Sequence, residues 1–278
     1  MASSKEWYSS VAQSRTNGFA DIEGASLYYE MAGAGRTVVL LHGFSLDHTS
    51  WDDQFATFAS RYRVLRYDLR GFGRSTSGEV EYSHANDLKG LLVYLNIPDV
   101  DLVGLSLGGG AAINFALLNP QMVRGLVLVA PSLGGYAWSP SYTEAQASLV
   151  AMLHQKGIGF VQQLWLRQPL FRRAMQNPQV AAKLKKMIDL YSGWHWLHPT
   201  LGKPLSPPAI VRLREIAVPT LVVIGEDNAA DQLRIAETLA NGIANARKLV
   251  VPGAGHLVNM EEPAFFNQQV LEFLETIE

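Results

Sequence analysis

The stretch Val103-Gly104-Leu105-Ser106-Leu107-Gly108-Gly109-Gly110 sets a serine between glycines two residues before and two after it. That G-x-S-x-G spacing suits a sharp strand-to-helix turn, where small neighbours let the chain pass close by and the strain points the hydroxyl outward. A helix N-terminus behind the serine would favour developing negative charge. A glycine-rich helix start with a capping serine is the plainer alternative. A serine hydroxyl is a poor nucleophile unless a base takes its proton during attack. The candidate base is His256, in the glycine-flanked loop Pro252-Gly253-Ala254-Gly255-His256. Among the other histidines, His42 reads as a structural loop residue. His195 and His198, three apart, could ligate a metal, but no third ligand stands with them.

The surrounding pattern supplies elements to position these groups. Val100–Leu105 reads as a buried strand and Leu107–Leu118, rich in Ala and Leu, as a helix. Residues 20–22 and 26–30 flank Gly24 as a hairpin. Thr37–Leu41, Arg63–Tyr67 and Val123–Val129 are further strands, with helices over 51–62 and 83–95 between them. From 132 to 213 the sequence carries helical segments (143–155, 159–167 and 179–191) and no strand. Strands resume at 219–224 and 247–251, with helices over 232–241 and 263–277. Alternating strands and helices call for a parallel sheet covered on both faces. The expected organisation is a core of 19–131 and 214–278, a helical cap inserted at 132–213, and an N-terminal arm over 1–18.

Composition narrows the classes. With 278 residues, one large domain carrying an insertion is expected. Hydrophobic residues make up 48% and charged residues 17%, below the usual quarter or so, which argues against disorder. Net charge is −2, and no basic cluster exceeds Lys183-Leu184-Lys185-Lys186, so nucleic-acid binding has no electrostatic footprint. The absence of cysteine removes disulfides and thiolate chemistry. Residues 1–17 are polar, unlike a secretory signal, and no segment is long and apolar enough to span a membrane. The expectation is a cytoplasmic protein needing no cofactor or metal, its partner a small molecule.

Taken in order, these motifs resemble the α/β-hydrolase superfamily: His42-Gly43 after the third strand, Asp68-x-x-Gly71-x-Gly73-x-Ser75 after the fourth, the turn at Ser106, and Gly255-His256 near the end. Within it the sequence looks like the small esterase, lactonase, perhydrolase and carbon–carbon-bond hydrolase members. The resemblance covers roughly 20–131 and 217–277. It implies an α/β-hydrolase fold with Ser106 as nucleophile, His256 as general base, and the backbone N–H groups of Phe44 and Leu107 as an oxyanion hole. Asp68, Arg70 and Arg74 read as scaffold pairing.

The acid is the departure. The resemblance implies a carboxylate at the fourth position of the turn after 219–224, and that turn is Gly225-Glu226-Asp227-Asn228. Asp227 serves if the turn shifts by one residue. Asn228 could orient the imidazole as a neutral partner. Asp231 could reach in, although capping the following helix is its simpler role. Otherwise the acid is missing. Trp138, Trp165, Trp194 and Trp196 in the insertion are candidate pocket residues, of which one or two are expected to face substrate. No Arg or Lys stands out as an anchor, so a neutral hydrophobic ester or lactone is the expected substrate. The rivals are a ligand-binding protein of the same fold with weak turnover, and perhydrolysis or carbon–carbon-bond cleavage on the same constellation.

Overall fold

The computed structural model describes residues 15–277. Its strands are β1 (Thr16–Ile22), β2 (Ala25–Ala32), β3 (Thr37–Leu41), β4 (Arg63–Tyr67), β5 (Val100–Leu105), β6 (Val123–Val129), β7 (Thr220–Gly225) and β8 (Ala246–Val251). They form one sheet in the order β1-β2-β4-β3-β5-β6-β7-β8. The pairs β1–β2 and β2–β4 are antiparallel and the rest parallel. Every residue of β3, β5 and β7 is buried, as their largely apolar runs, broken in β5 by Asp101 and Gly104, require of central strands covered on both faces. β1 and β8 at the edges leave residues exposed.

The helices are α1 (Asp52–Ala59), α2 (His84–Tyr94), α3 (Leu107–Leu118), α4 (Pro140–Lys156), α5 (Ile158–Leu166), α6 (Pro178–Leu190), α7 (Trp194–Leu197), α8 (Ala230–Gly242), α9 (Val258–Glu261) and α10 (Pro263–Glu275). α2 starts where Ser83 accepts from the Asn86 N–H. In α6, Val180, Leu184, Met187 and Ile188 are buried at helical spacing while the charged residues face outward. α7 was not expected: four residues are too few to carry a periodicity. Among the described residues no helix is long and apolar enough to cross a membrane.

Two features position the site. β3 pairs with β4 on one side and β5 on the other, so the chain reverses its direction of growth there, and the loops leaving β3 and β5 diverge at a topological switch point. Between β6 and β7 the chain leaves the sheet for α4 to α7, a helical insert touching strand pairing only in the isolated Tyr82–Gly202 bridge. The arm expected over 1–18 overlaps β1 at its end. Residues 1–14 lie outside the described residues, and Thr16–Gly18 belong to β1 because they pair with Met31–Tyr29 of β2.

The loop after β4 is held by buried charge. Arg70 is fully buried, bonds Asp87 of α2 at 2.6 and 3.0 Å, and donates to the Ile22 carbonyl of the hairpin. Asp68 accepts from the His48 N–H and Nδ1 and from the Arg74 N–H. The Asp68 and Arg70 side chains are thus occupied in fastening loops together, while the Arg74 guanidinium lies over the Tyr28 ring at 3.8 Å.

Candidate active site

Ser106 sits between β5 and α3 at φ 52° and ψ −112°. A non-glycine residue there stores about 1–3 kcal/mol of strain and needs its surroundings to hold it. They do: its N–H donates to the Val129 carbonyl at 2.8 Å, and its carbonyl accepts from Gly110 N–H at 3.0 Å and Ser132 N–H at 2.9 Å. The flanking glycines have a steric cause. A Cβ on Gly104 would lie 2.5 Å from the Gly108 carbonyl oxygen, and one on Gly108 would lie 2.3 Å from that of Leu41. Only the bare backbone lets α3 start this close to β3.

Leu107 opens α3, so its N–H has no intrahelical acceptor. The Phe44 N–H, in the loop after β3, has no backbone acceptor among the described residues either. That loop is rigidly built. His42 Nε2 accepts from the Leu69 N–H at 2.9 Å, so its Nδ1 carries the proton donated to the Gly43 carbonyl at 2.8 Å. Ser45, at φ 62°, donates its hydroxyl to the Phe44 carbonyl at 2.6 Å and accepts from the Trp165 indole N–H of α5 at 2.7 Å. One insert helix is thereby tied to the candidate oxyanion loop.

His256 follows β8 and is 5% exposed; burial alone depresses its pKa to about 4. Asn228 reaches it, with Nδ2 3.4 Å from His256 Nδ1. Asp227 does not serve as the partner here: its N–H bonds the Ala254 carbonyl, and its carboxylate pairs with Arg173 of the insert at 3.2 Å, at the surface. Asp231 does not either, nor does it cap α8, whose cap is Ala229. Lying in the first turn, Asp231 accepts from the Ser139 hydroxyl at 2.6 Å, the Tyr136 hydroxyl at 3.1 Å and Arg234 at 2.7 Å, bonds that push its pKa down to about 2. Of the three candidates the structure brings Asn228 to the ring. No sequence pattern marks Glu261, whose carboxylate brackets His256 by accepting from the Gly255 and Leu257 N–H groups. None marks Arg173 either, whose Nε donates to the Gly253 carbonyl at 2.7 Å. Both act across loop contacts that leave no periodic signal.

Ser106 and His256 face one cavity of about 620 Å³, floored by Phe44 and Leu107 and walled by the insert. Among the described residues the side-chain partner of His256 is Asn228, and no hydrogen bond joins its ring to the Ser106 hydroxyl. Three tryptophans line it, against the one or two expected: Trp138, stacked on Tyr142 at 4.1 Å, Trp165 and Trp196. Trp194 does not; it stacks on His198 and packs against Tyr82. Arg234 also reaches the cavity, but Asp231 neutralises it there. A metal on His195 is not supported, because Nε2 bonds the Arg70 carbonyl at 3.0 Å and Nδ1 the Tyr191 hydroxyl at 3.0 Å. Asp47, His48 and Asp68 cluster within 4.8 Å, but none lines the cavity, and Asp68 is committed to His48 and Arg74.

Residues 38–269 match the model of the alpha/beta hydrolase family, and the chain belongs to that family. It is 30% identical, over 96% of its own length and 98% of the relative's, to a 2-hydroxy-6-oxononadienedioate/2-hydroxy-6-oxononatrienedioate hydrolase of Paraburkholderia xenovorans. Among solved structures it resembles a thermophilic esterase from Thermogutta terrifontis, with a TM-score of 0.82, 29% identity, and coverage of 94% of this chain and 98% of that one. It also resembles an N-acyl homoserine lactone degrading enzyme, with a TM-score of 0.77, 27% identity, and coverage of 92% and 100%. Family and relatives together indicate a hydrolase.

Proposed function

We propose that this protein is a serine hydrolase that cleaves a neutral, hydrophobic carboxylic ester or lactone through an acyl-enzyme on Ser106. The observation that carries the reading is Ser106 held at φ 52° in the wall of one cavity with His256, next to two N–H groups without a backbone acceptor among the described residues. In this reading Ser106 Oγ attacks the acyl carbon, His256 takes the proton, and the N–H groups of Phe44 and Leu107 receive the oxyanion. Water then hydrolyses the acyl-enzyme with His256 again as base, and the helical insert acts as the cap that shapes the acyl pocket. Neutral substrates fit because the cavity's one arginine is already paired with Asp231. A dioate, of the kind named for the Paraburkholderia relative, would find no free cation among the lining residues.

The test is hydrolysis of short and medium p-nitrophenyl esters and a γ-lactone by the protein and its Ser106→Ala variant at neutral pH. Serine-dependent turnover is expected, with chain-length preference reporting the pocket. Equal rates for the two proteins would sink the reading. Asn228 beside His256 favours a second one, a binding protein with weak turnover. Micromolar binding of an ester or lactone without Ser106-dependent turnover would mark it.

A further inference from the structure

The turn at Ser106 calls for Gly104 and Gly108, but two more glycines follow, and these answer to a different neighbour. A Cβ on Gly109 would lie 2.6 Å from Pro131 Cβ, and one on Gly110 would lie 2.3 Å from Ser132 Oγ. The loop leaving β6 is therefore wedged against the first turn of α3. It holds the Ser106 backbone by both of its polar groups. The Val129 carbonyl accepts the Ser106 N–H at 2.8 Å, while the Ser106 carbonyl accepts the Ser132 N–H at 2.9 Å and the Ser132 hydroxyl at 3.3 Å. That loop is strained in its turn. Ala130 lies at φ 40°, a conformation that a residue with a Cβ keeps only when its surroundings impose it.

Two groups impose it. On one side the Ala130 N–H donates to the Val223 carbonyl of β7 at 2.8 Å. On the other stands Gln232, buried in the first turn of α8. Its carboxamide is oriented by what it faces: with Nε2 toward the loop it donates to the Ala130 carbonyl at 3.0 Å and the Pro131 carbonyl at 3.2 Å, whereas the reverse orientation sets oxygen against oxygen. Among the described residues no backbone N–H donates to either carbonyl, so this one side chain satisfies both.

We infer that Gln232 is a positioning residue for the nucleophile: its carboxamide fixes the Ala130–Pro131 carbonyls, and the loop so fixed holds the Ser106 backbone in its strained turn. The inference rests on the serine-hydrolase reading above. Losing the amide lets the loop relax, and Ser106 Oγ leaves the line of attack on a substrate that the cavity still binds. A misplaced nucleophile lowers kcat far more than it raises KM.

The test compares the full chain with its Gln232→Leu, Gln232→Glu and Ser106→Ala variants, at a temperature where each is folded. Turnover of p-nitrophenyl butyrate and the rate of Ser106 labelling by a fluorophosphonate are followed from pH 5 to pH 8. Gln232→Leu removes the donor, so kcat and labelling should both fall about tenfold or more with KM little changed. Gln232→Glu gives the sharper signature. Ionised, it sets a carboxylate against two carbonyl oxygens; protonated, its O–H donates to one of them. The charged groups beside it, Asp231 and Arg234, pair with each other, and burial raises its carboxyl above the ordinary value of about 4.3. Its kcat and labelling rate should therefore rise about tenfold from pH 8 to pH 5, where the unmodified protein stays level. Gln232 also lines the cavity, so a rise in KM alone would make it a substrate contact and overturn the inference. A Gln232→Glu profile parallel to that of the unmodified protein overturns it as well. Turnover that survives in Ser106→Ala, or an unmodified protein that neither turns over nor labels, overturns the serine-hydrolase reading and this inference with it. If Gln232→Leu does not fold, Gln232→Glu, of the same shape as the native side chain, decides through its pH dependence.

Discussion

Asn228 presents a hydrogen-bond donor to His256, with Nδ2 3.4 Å from Nδ1 while its oxygen is held by the Ala229 N–H. The ring proton therefore belongs on Nε2, the nitrogen that a general base must keep free for Ser106. Restoring a carboxylate reverses this, because an aspartate at 228 accepts from Nδ1–H and frees Nε2. In a serine protease the opposite change, Asp to Asn, costs about ten thousandfold. Asn228→Asp is expected to raise kcat for p-nitrophenyl butyrate about a hundredfold or more, measured beside a Ser106→Ala/Asn228→Asp control. An unchanged kcat would mean that the amide turns over freely in solution.

The acid limb of the pH–rate profile reports the same ring. Only neutral His256 can take a proton, and burial depresses its pKa to about 4. Ester hydrolysis should therefore hold its kcat/KM from pH 8 to about pH 5 and halve only near pH 4. In Asn228→Asp the new negative charge favours the imidazolium, so the limb moves up toward the ordinary histidine value of about 6.5. A wild-type limb already at 6.5 would show that the ring is solvated.

Stability against pH contains two opposed contributions. His256 has a folded pKa below its unfolded value, so the unfolded chain binds the proton first, and stability present above about pH 6.5 is lost as pH falls toward 4. Asp101 on β5 runs the other way. Its oxygens make no aligned hydrogen bond, and burial lifts its pKa to about 6 even with Arg36 2.7 Å away. A carboxyl raised in the fold contributes stability below about pH 4 that is lost as pH rises through 6, at most about 3 kcal/mol. Urea denaturation of Asp101→Asn from pH 4 to pH 7.5 should therefore show a variant that gains on the wild type as pH rises. Parallel curves would place Asp101 in contact with water.

The sheet was legible because burial writes itself into sequence as short, mainly apolar runs, and β3, β5 and β7 are buried at every residue, Asp101 of β5 included. The turn at Ser106 was legible because Gly104 and Gly108 answer to contacts of 2.5 and 2.3 Å that admit no side chain. The partner of His256 was not. Asp227 and Asn228 are adjacent and chemically suited, and the choice between them falls to Arg173, 54 positions upstream in an insert whose docking no local pattern records. The tryptophans divide for a similar reason: a four-residue helix gives no periodicity to say that Trp196 turns inward while Trp194 turns to His198.

Trp165 carries the last prediction, because it joins the insert to the loop that supplies the Phe44 N–H. Its indole N–H bonds Ser45 Oγ at 2.7 Å, and that hydroxyl bonds the Phe44 carbonyl at 2.6 Å. Trp165→Phe keeps an aromatic ring but removes the donor, a loss of about 1 kcal/mol in stability. Displacing an oxyanion donor weakens binding of the transition state more than of the substrate, so kcat should fall about tenfold with KM little changed. Trp138→Phe is the control, since Trp138 lines the cavity and stacks on Tyr142 without touching that loop, and its effect should fall mainly on KM. If both variants change KM alone, the Trp165–Ser45 bond shapes the pocket and leaves the oxyanion loop where it is.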